Sequence, residues 1–236
     1  TLYRLQNTGG QIPADHALLG ETLREAGYDT FGTGKWHNSP NAYARSFSHG
    51  AEIFFGGMDD HWNVPACDFD PTGLYEQRLR QTIDFRTQQV RHKTADHIRA
   101  GVHSTELFAD ATIDFLHRRR PADAPFFAYL SFMAPHDPRT MPPKYLDMYP
   151  VEDIELPANF LPEHPFDNGD LMTRDEILAG HPRGEEETRE HLAAYYAMIS
   201  HVDHHVGRVL SAIEEARRRD DTLIVFGTEF GRTPMA

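Results

Sequence analysis

Apolar positions fall into two rhythms along this chain, and the alternation between them predicts its elements. Residues 15–26 place Leu18, Leu19, Thr22 and Leu23 on one helical face, with Asp15 as N-cap and Gly27 as the stop. A short strand over 29–33 runs into Gly34-Lys35-Trp36-His37. Residues 38–75, rich in Gly, Pro, Asn and Asp, read as one long ordered loop, and connections of that length are usually functional. A second helix over 104–119 carries Leu107, Phe108, Ala111 and Phe115 at helical spacing, and Pro121 ends it. Residues 126–133 form a nearly continuous apolar run bounded by prolines, the pattern of a strand covered on both faces. After a proline-punctuated excursion over 134–183, a long helix over 185–218 carries Leu192, Tyr195, Ile199, Val202, Val206, Val209 and Ile213. Residues 222–226 read as another buried strand.

Helices and strands in strict alternation predict an α/β fold, a largely parallel sheet flanked by helices. There is no internal repeat and no shift in composition, so residues 1–236 read as a single domain. The chain starts at Thr1 and stops just after a strand-like run, and it reads as an excerpt, incomplete at both ends, with no targeting signal to interpret. Lys+Arg is 23 against Asp+Glu 36, a net charge of −13, which argues against a nucleic-acid partner. No apolar stretch approaches the ~18 residues of a membrane-spanning helix. The lone cysteine, Cys67, excludes an internal disulfide and a thiolate-rich zinc site.

In open α/β sheets, ligands bind beyond the carboxyl ends of the strands. The first strand ends in Lys35 and His37, the second in His136 and the third in Glu229, so ionisable groups collect at one edge. Period-two alternation puts Lys35 and His37 on one side of an extended chain and Trp36 on the other. A fixed ammonium beside imidazoles suits a sulfate or phosphate: the lysine holds an oxygen and a histidine moves a proton to or from a bridging oxygen.

Other patterns are read structurally. Asp68-x-Asp70-x-Thr72-Gly73 starts like a calcium loop, but Leu79 stands where a bidentate Glu is needed, so it reads as an Asx turn. His201, His204 and His205 read as partly exposed helix histidines, and Asp203 as a hydrogen-bonded structural carboxylate beside the apolar stripe. The segment 56–63 is either a sugar-recognition loop or an ordered glycine turn packed by Trp62.

Leu23-Arg24-Glu25-Ala26-Gly27-Tyr28-Asp29-Thr30 followed by Gly34-Lys35-Trp36-His37 resembles the segment after the nucleophile in formylglycine-dependent (type I) sulfatases. Phe126 to Met133 with Ala134-Pro135-His136-Asp137-Pro138 is similar to the family's second signature. Tyr195-Tyr196-Ala197-Met198-Ile199, Val202-Asp203 and Val206-Gly207-Arg208 are similar to its long helix. The resemblance implies the alkaline-phosphatase-like fold and hydrolysis of a sulfate ester. By that resemblance Lys35 grips the sulfate, His37 assists the formylglycine hydrate, and His136 contacts sulfate or protonates the leaving oxygen. It also implies calcium, and export to the periplasm or outside the cell.

The chain departs from the family pattern at three places. Cys67 sits in Cys67-Asp68-Phe69-Asp70-Pro71, which is not the nucleophile motif Cys/Ser-x-Pro/Ala-x-Arg, and no serine has that context. The family's paired N-terminal aspartates are missing, and Asp59-Asp60 stands on the wrong side of the first signature to replace them. Gly227-Thr228-Glu229-Phe230-Gly231 follows the third strand where Asp-Asn-Gly is the family pattern, leaving Glu229 as the candidate metal ligand. The expected function is therefore a piece of a sulfuric ester hydrolase acting on a sulfated carbohydrate or small organic sulfate, inactive alone. The alternatives are a phosphatase or phosphodiesterase of the same superfamily, or a non-catalytic relative that binds sulfated glycans. Oligomeric state is left open.

Overall fold

A computed structural model of the chain describes residues 12–84, 86–166, 169, 172 and 176–228. Its elements are α1 (Leu19–Glu25), β1 (Asp29–Trp36), α2 (Pro40–Ser46), β2 (His49–Phe55), β3 (Pro65–Ala66), β4 (Arg78–Asp84), β5 (Gln89–Thr94) and β6 (His97–Ile98), followed by α3 (Ser104–His117), β7 (Phe126–Ser131), α4 (Pro143–Leu146) and α5 (Glu185–Glu215). The chain divides into two compact units, Thr1–Pro138 with Val202–Arg219, and Arg139–His201 with Asp220–Ala236.

The first unit is built on a parallel sheet in the order β2-β1-β7, as the alternation of elements predicts. Successive β2 residues serve opposite faces of that sheet. Ile53 packs with Tyr43, Phe47, Cys67 and Tyr75, while Phe54 packs with Val64, Leu107, Phe108 and Met133. A third cluster joins Leu116 of α3 to Ala212 and Ile213 of α5. Two antiparallel pairs, β3-β6 and β4-β5, complete this unit.

Central strand β1 is shaped by its glycines. Buried Tyr43, on α2, donates its hydroxyl to the Gly32 carbonyl at 2.6 Å, and a Cβ on Gly32 would stand only 2.6 Å from that oxygen. Two residues on, Gly34 has φ +87°, and a Cβ there would collide with the Ser131 carbonyl oxygen of β7. Between them the β1–β2 register slips. Only residues without a side chain let the backbone pass this closely and turn left-handed just before Lys35.

Several expectations are corrected. The first helix begins at Leu19 rather than Asp15, whose carboxylate bonds the neighbouring His16 ring at 2.9 Å; the Glu21 carboxylate accepts the Leu18 N–H instead. Gly27 does close α1, at φ +88°. Leu19 faces solvent, because Gly20 is the residue pressed against Ser46. The 38–75 segment is not a loop throughout: it holds α2, β2 and β3. Ser39 caps α2 by accepting the Ala42 N–H, with Pro40 at the first helical position, a start signal hidden in a polar stretch. β7 is half-buried instead of covered on both faces, since β1 is its one ladder partner among the described residues. Residues 222–226 form no strand, and Leu223, Val225 and Phe226 are 89%, 83% and 75% exposed. β-forming side chains make a strand only where a neighbour accepts the ladder, and no described strand pairs there.

In α5 the buried stripe is rotated from the one the large apolar residues predict. Ala193, Ala197, Met198, His201, His205, Ala212 and Ile213 are buried, whereas Ile199 is 42% exposed. Small residues sit inward because they let the helix approach its neighbours closely. In the second unit, Tyr149 shares a 2.6 Å hydrogen bond with Ser200, and the Tyr145 ring lies 4.7 Å from that of His201. No helix is long and apolar enough to cross a membrane among the described residues.

The two left-handed glycines separate backbone strain from collision. Around Gly27 nothing lies within 4 Å of a built Cβ. Gly27→Ala should therefore cost about 1 kcal/mol, from φ alone. Gly34→Ala should cost ~2–4 kcal/mol, because overpacking against Ser131 adds to the same term. Urea unfolding followed by circular dichroism measures both; equal losses would refute the close-approach account.

Candidate active site at the carboxyl edge of the sheet

Because β1 and β7 are parallel neighbours, with Gly34 opposite Ser131, their carboxyl ends lie at one edge. Lys35 is the penultimate residue of β1, His37 follows its end, and His136 lies five residues past Ser131. Trp36 packs the other way, 5.5 Å from Tyr43 and 5.6 Å from Phe47, and donates its indole N–H to the Ser39 carbonyl. Lys35 and His136 are half-buried and His37 is exposed. Glu229 lies outside the described residues.

The segment between β2 and β3 touches both histidines. A Cβ on Gly57 would stand 3.3 Å from Cε1 of His37, so the glycine backbone lies against that ring. Four residues on, fully buried His61 sends Nε2 to the His136 carbonyl at 3.1 Å and Nδ1 to the Ser104 hydroxyl at 2.7 Å. The turn is held by Asp60, which accepts from the Trp62 N–H at 2.9 Å and the Asn63 amide at 2.7 Å. Trp62 packs edge-on to His103, whose ring stacks on His61 at 4.9 Å. The ordered turn packed by Trp62 is what the structure contains. Sequence reading misses His61, since a lone histidine in a polar run carries no periodic signal.

The His136 ring donates from Nδ1 to the Asp137 carbonyl at 3.2 Å. With the hydrogen on Nδ1, Nε2 is the ring nitrogen left without one in the neutral form. Burial lowers the pKa of His61 from the usual imidazole value, against the bond to the His136 carbonyl and the Asp60 and Asp137 charges, and so favours the neutral ring.

The remaining candidates take structural roles. Cys67 is buried in a bridge to Ile53 of β2, and desolvation pushes its thiol up to about 12, which leaves it no thiolate to attack with. Asp70 forms the expected Asx turn, accepting from the Thr72 N–H and hydroxyl and from the Tyr75 N–H. Asp59 pairs with Lys93. The helix histidines do not behave alike: His201 and His205 are buried and His204 is exposed. His205 accepts at Nδ1 from Arg208, which also pairs with Asp110 at 2.7 Å. Asp203 is exposed rather than set beside an apolar stripe, because the stripe turns away from it.

One group of possible metal donors occurs among the described residues, Asp68, Asp96 and His97 at the β3–β6 pair. Its two carboxylates and one imidazole do not match calcium, which takes six to eight oxygens. His97 is also engaged by Glu52 at 2.7 Å, and the Asp96 carboxylate by the Asp68 N–H.

Comparison with known proteins gives these features a common origin. The Sulfatase family model matches residues 1–227. The arylsulfatase of Klebsiella aerogenes is 28% identical over 234 residues, covering 92% of this chain and 47% of that protein. The chain thus spans about half the length of such curated relatives. Among solved structures, BT4656 in complex with its substrate D-glucosamine-2-N,6-O-disulfate has a TM-score of 0.55 at 18% identity, over 91% of this chain and 50% of that one. The phosphonate monoester hydrolase of Agrobacterium radiobacter has a TM-score of 0.56 at 18% identity, over 93% and 48%. These likenesses establish the alkaline-phosphatase-like α/β fold. With its two signatures at the ends of β1 and β7 and a family model matched over nearly its whole length, the chain belongs to the sulfatase family.

Proposed function

We propose that this chain supplies the oxyanion-binding and proton-transfer side of a sulfate-ester hydrolase active site, within one catalytic domain that contains both compact units. The span of the family model, residues 1–227, supports that domain reading. The reading rests on the parallel neighbours β1 and β7, at or just past whose carboxyl ends Lys35, His37 and His136 stand in the chain. The proposed substrate is a sulfated carbohydrate or a small organic sulfate, in keeping with a structural neighbour that holds a glucosamine disulfate.

The chemistry follows from the groups. The Lys35 ammonium balances the charge carried by the sulfuryl oxygens, while new negative charge grows on the leaving oxygen as its S–O bond stretches. The departing alkoxide needs a proton, and imidazolium His136 delivers it from Nε2 while Nδ1–H stays on the Asp137 carbonyl. His37, held against Gly57, is placed to exchange a proton with the attacking group. The family implies a divalent metal; calcium would supply further positive charge, but the described residues do not make an oxygen cage for it and no step here runs through it. Cys67 cannot serve as the nucleophile from inside the core.

Two outcomes test this reading. In the whole protein encoded by the reading frame that carries these residues, sulfate release from an aryl sulfate or sulfated sugar should exceed phosphate or phosphonate release. His136→Ala should lower kcat by about 10²–10⁴-fold, the usual worth of a positioned acid. Faster phosphate release would transfer the site to the phosphatase alternative. The 236-residue chain alone should show sulfate-dependent NMR shifts at Lys35, abolished by Lys35→Ala, yet no turnover. Turnover by the isolated chain would overturn the assignment of Cys67 and the division of labour built on it.

A further inference from the structure

We propose that His61 is a positioning residue for His136, a neutral imidazole strut that fixes the second-signature loop against the N-terminus of α3. This rests on the assignment of His136 as proton donor, but the contact itself stands apart from it. A carbonyl can only accept, so the 3.1 Å bond to the His136 carbonyl requires the hydrogen of His61 on Nε2. Nδ1 is then an acceptor and takes the Ser104 hydroxyl hydrogen at 2.7 Å. The two bonds together specify one tautomer.

The strut is anchored at its far end as well. Ser104 returns its backbone N–H to the His61 carbonyl at 2.7 Å, and Gly101 donates to the Trp62 carbonyl at 2.9 Å. His103 stacks on His61 with the planes 2° apart and caps α3 by accepting the Thr105 N–H. Every one of these groups is on α3 or just before it, so the imidazole transmits the position of a 14-residue helix to the backbone of His136. At its other end the His136 N–H is bonded to the Met133 carbonyl at 3.0 Å. His61 thus completes the fixation of both polar backbone groups of His136. The groups facing it are Asp60, His103, Ser104, His136 and Asp137; desolvation outweighs the bond to the His136 carbonyl and the Asp60 and Asp137 charges, all of which favour the charged ring, and so favours the neutral form that the tautomer requires.

The test separates positioning from packing by three variants. His61→Gln keeps a donor near the Nε2 position; His61→Leu fills the space with none; Ser104→Ala leaves the imidazole but removes the hydrogen bond that holds its Nδ1. In the 236-residue chain, whose fold is followed by circular dichroism, ¹⁵N NMR of the imidazoles should show His61 as the Nε2–H tautomer. Its ring should remain neutral down through the pH range in which a free histidine protonates. The His136 amide should exchange about tenfold or more faster in His61→Leu and Ser104→Ala than in His61→Gln. In the whole enzyme, His61→Leu should lower kcat by about 10–100-fold with KM changed by less than about threefold, as expected for a misplaced acid. His61→Gln should recover most of that loss.

Equal His136 exchange in all variants, or a wild-type His61 that carries its hydrogen on Nδ1, would overturn the strut. An intact strut in an enzyme whose kcat is indifferent to His136→Ala would instead overturn the role of His136. If His61→Leu does not fold, the Ser104→Ala and Gln arms still decide between the two.

Discussion

Everything at the sheet edge depends on how closely other parts of the chain approach the backbone of β1. Tyr43 reaches the Gly32 carbonyl from one side, and the Ser131 carbonyl passes Gly34 on another. Neither contact tolerates a Cβ, and both lie within three residues of Lys35. The left-handed φ at Gly34 also coincides with the break in β1–β2 register, so the strand is re-aimed just where it delivers its functional residues. A sequence that merely alternated apolar and polar residues here would form a strand. It would not bring the ends of β1 and β7 into the same local frame.

An anion site in a chain of net charge −13 looks contradictory until the distances involved are considered. Charges exposed to solvent are screened beyond roughly 8 Å at physiological ionic strength, so the acidic surface as a whole has little say at the sheet edge. Several carboxylates are moreover already committed. Asp29 pairs with Arg119, Glu21 with Arg45 and Glu52 with His97 and Arg99. In the proposed site an oxyanion meets Lys35 and two imidazoles. Global charge acts on partners at long range, while a site is decided by groups within one hydrogen bond of its ligand.

The legible parts of the fold were those with a long period or a hard stop. Residues 104–117 repeat their apolar positions over four turns, and Gly27 ends α1 by its φ alone. The strand ends bearing Lys35, His37 and His136 could be placed because parallel strands share an edge, whatever their surroundings. The misses have equally physical causes. α2 is only 7 residues long, too short for a hydrophobic stripe, and its signal was the Ser39-Pro40 start within a Gly- and Asn-rich stretch. The inward face of α5 is not marked by its large apolar residues because it mixes alanines with Met198, His201 and His205. Residues 222–226 have strand composition without a described strand to pair with, and composition cannot supply a partner. His61 was invisible for another reason: its importance lies in two hydrogen bonds to residues 43 and 75 positions away.

His61 and His136 also show how one residue type is given two behaviours by its surroundings. The two are joined by a single hydrogen bond, yet one is sealed beneath Trp62 and His103 and the other stands half-open at the edge. Desolvation penalises the charged imidazole, so the buried ring is held as a neutral donor–acceptor whose value lies in direction. The half-open ring keeps access to water, and its Nδ1–H is spent on the Asp137 carbonyl, which leaves Nε2 for the proposed proton transfer. Exchanging these environments would cost both functions. A strut that protonates would lose the acceptor that selects its tautomer, and an acid that cannot charge has no proton to give. On the proposed reading, the geometry of the first holds the backbone from which the second acts.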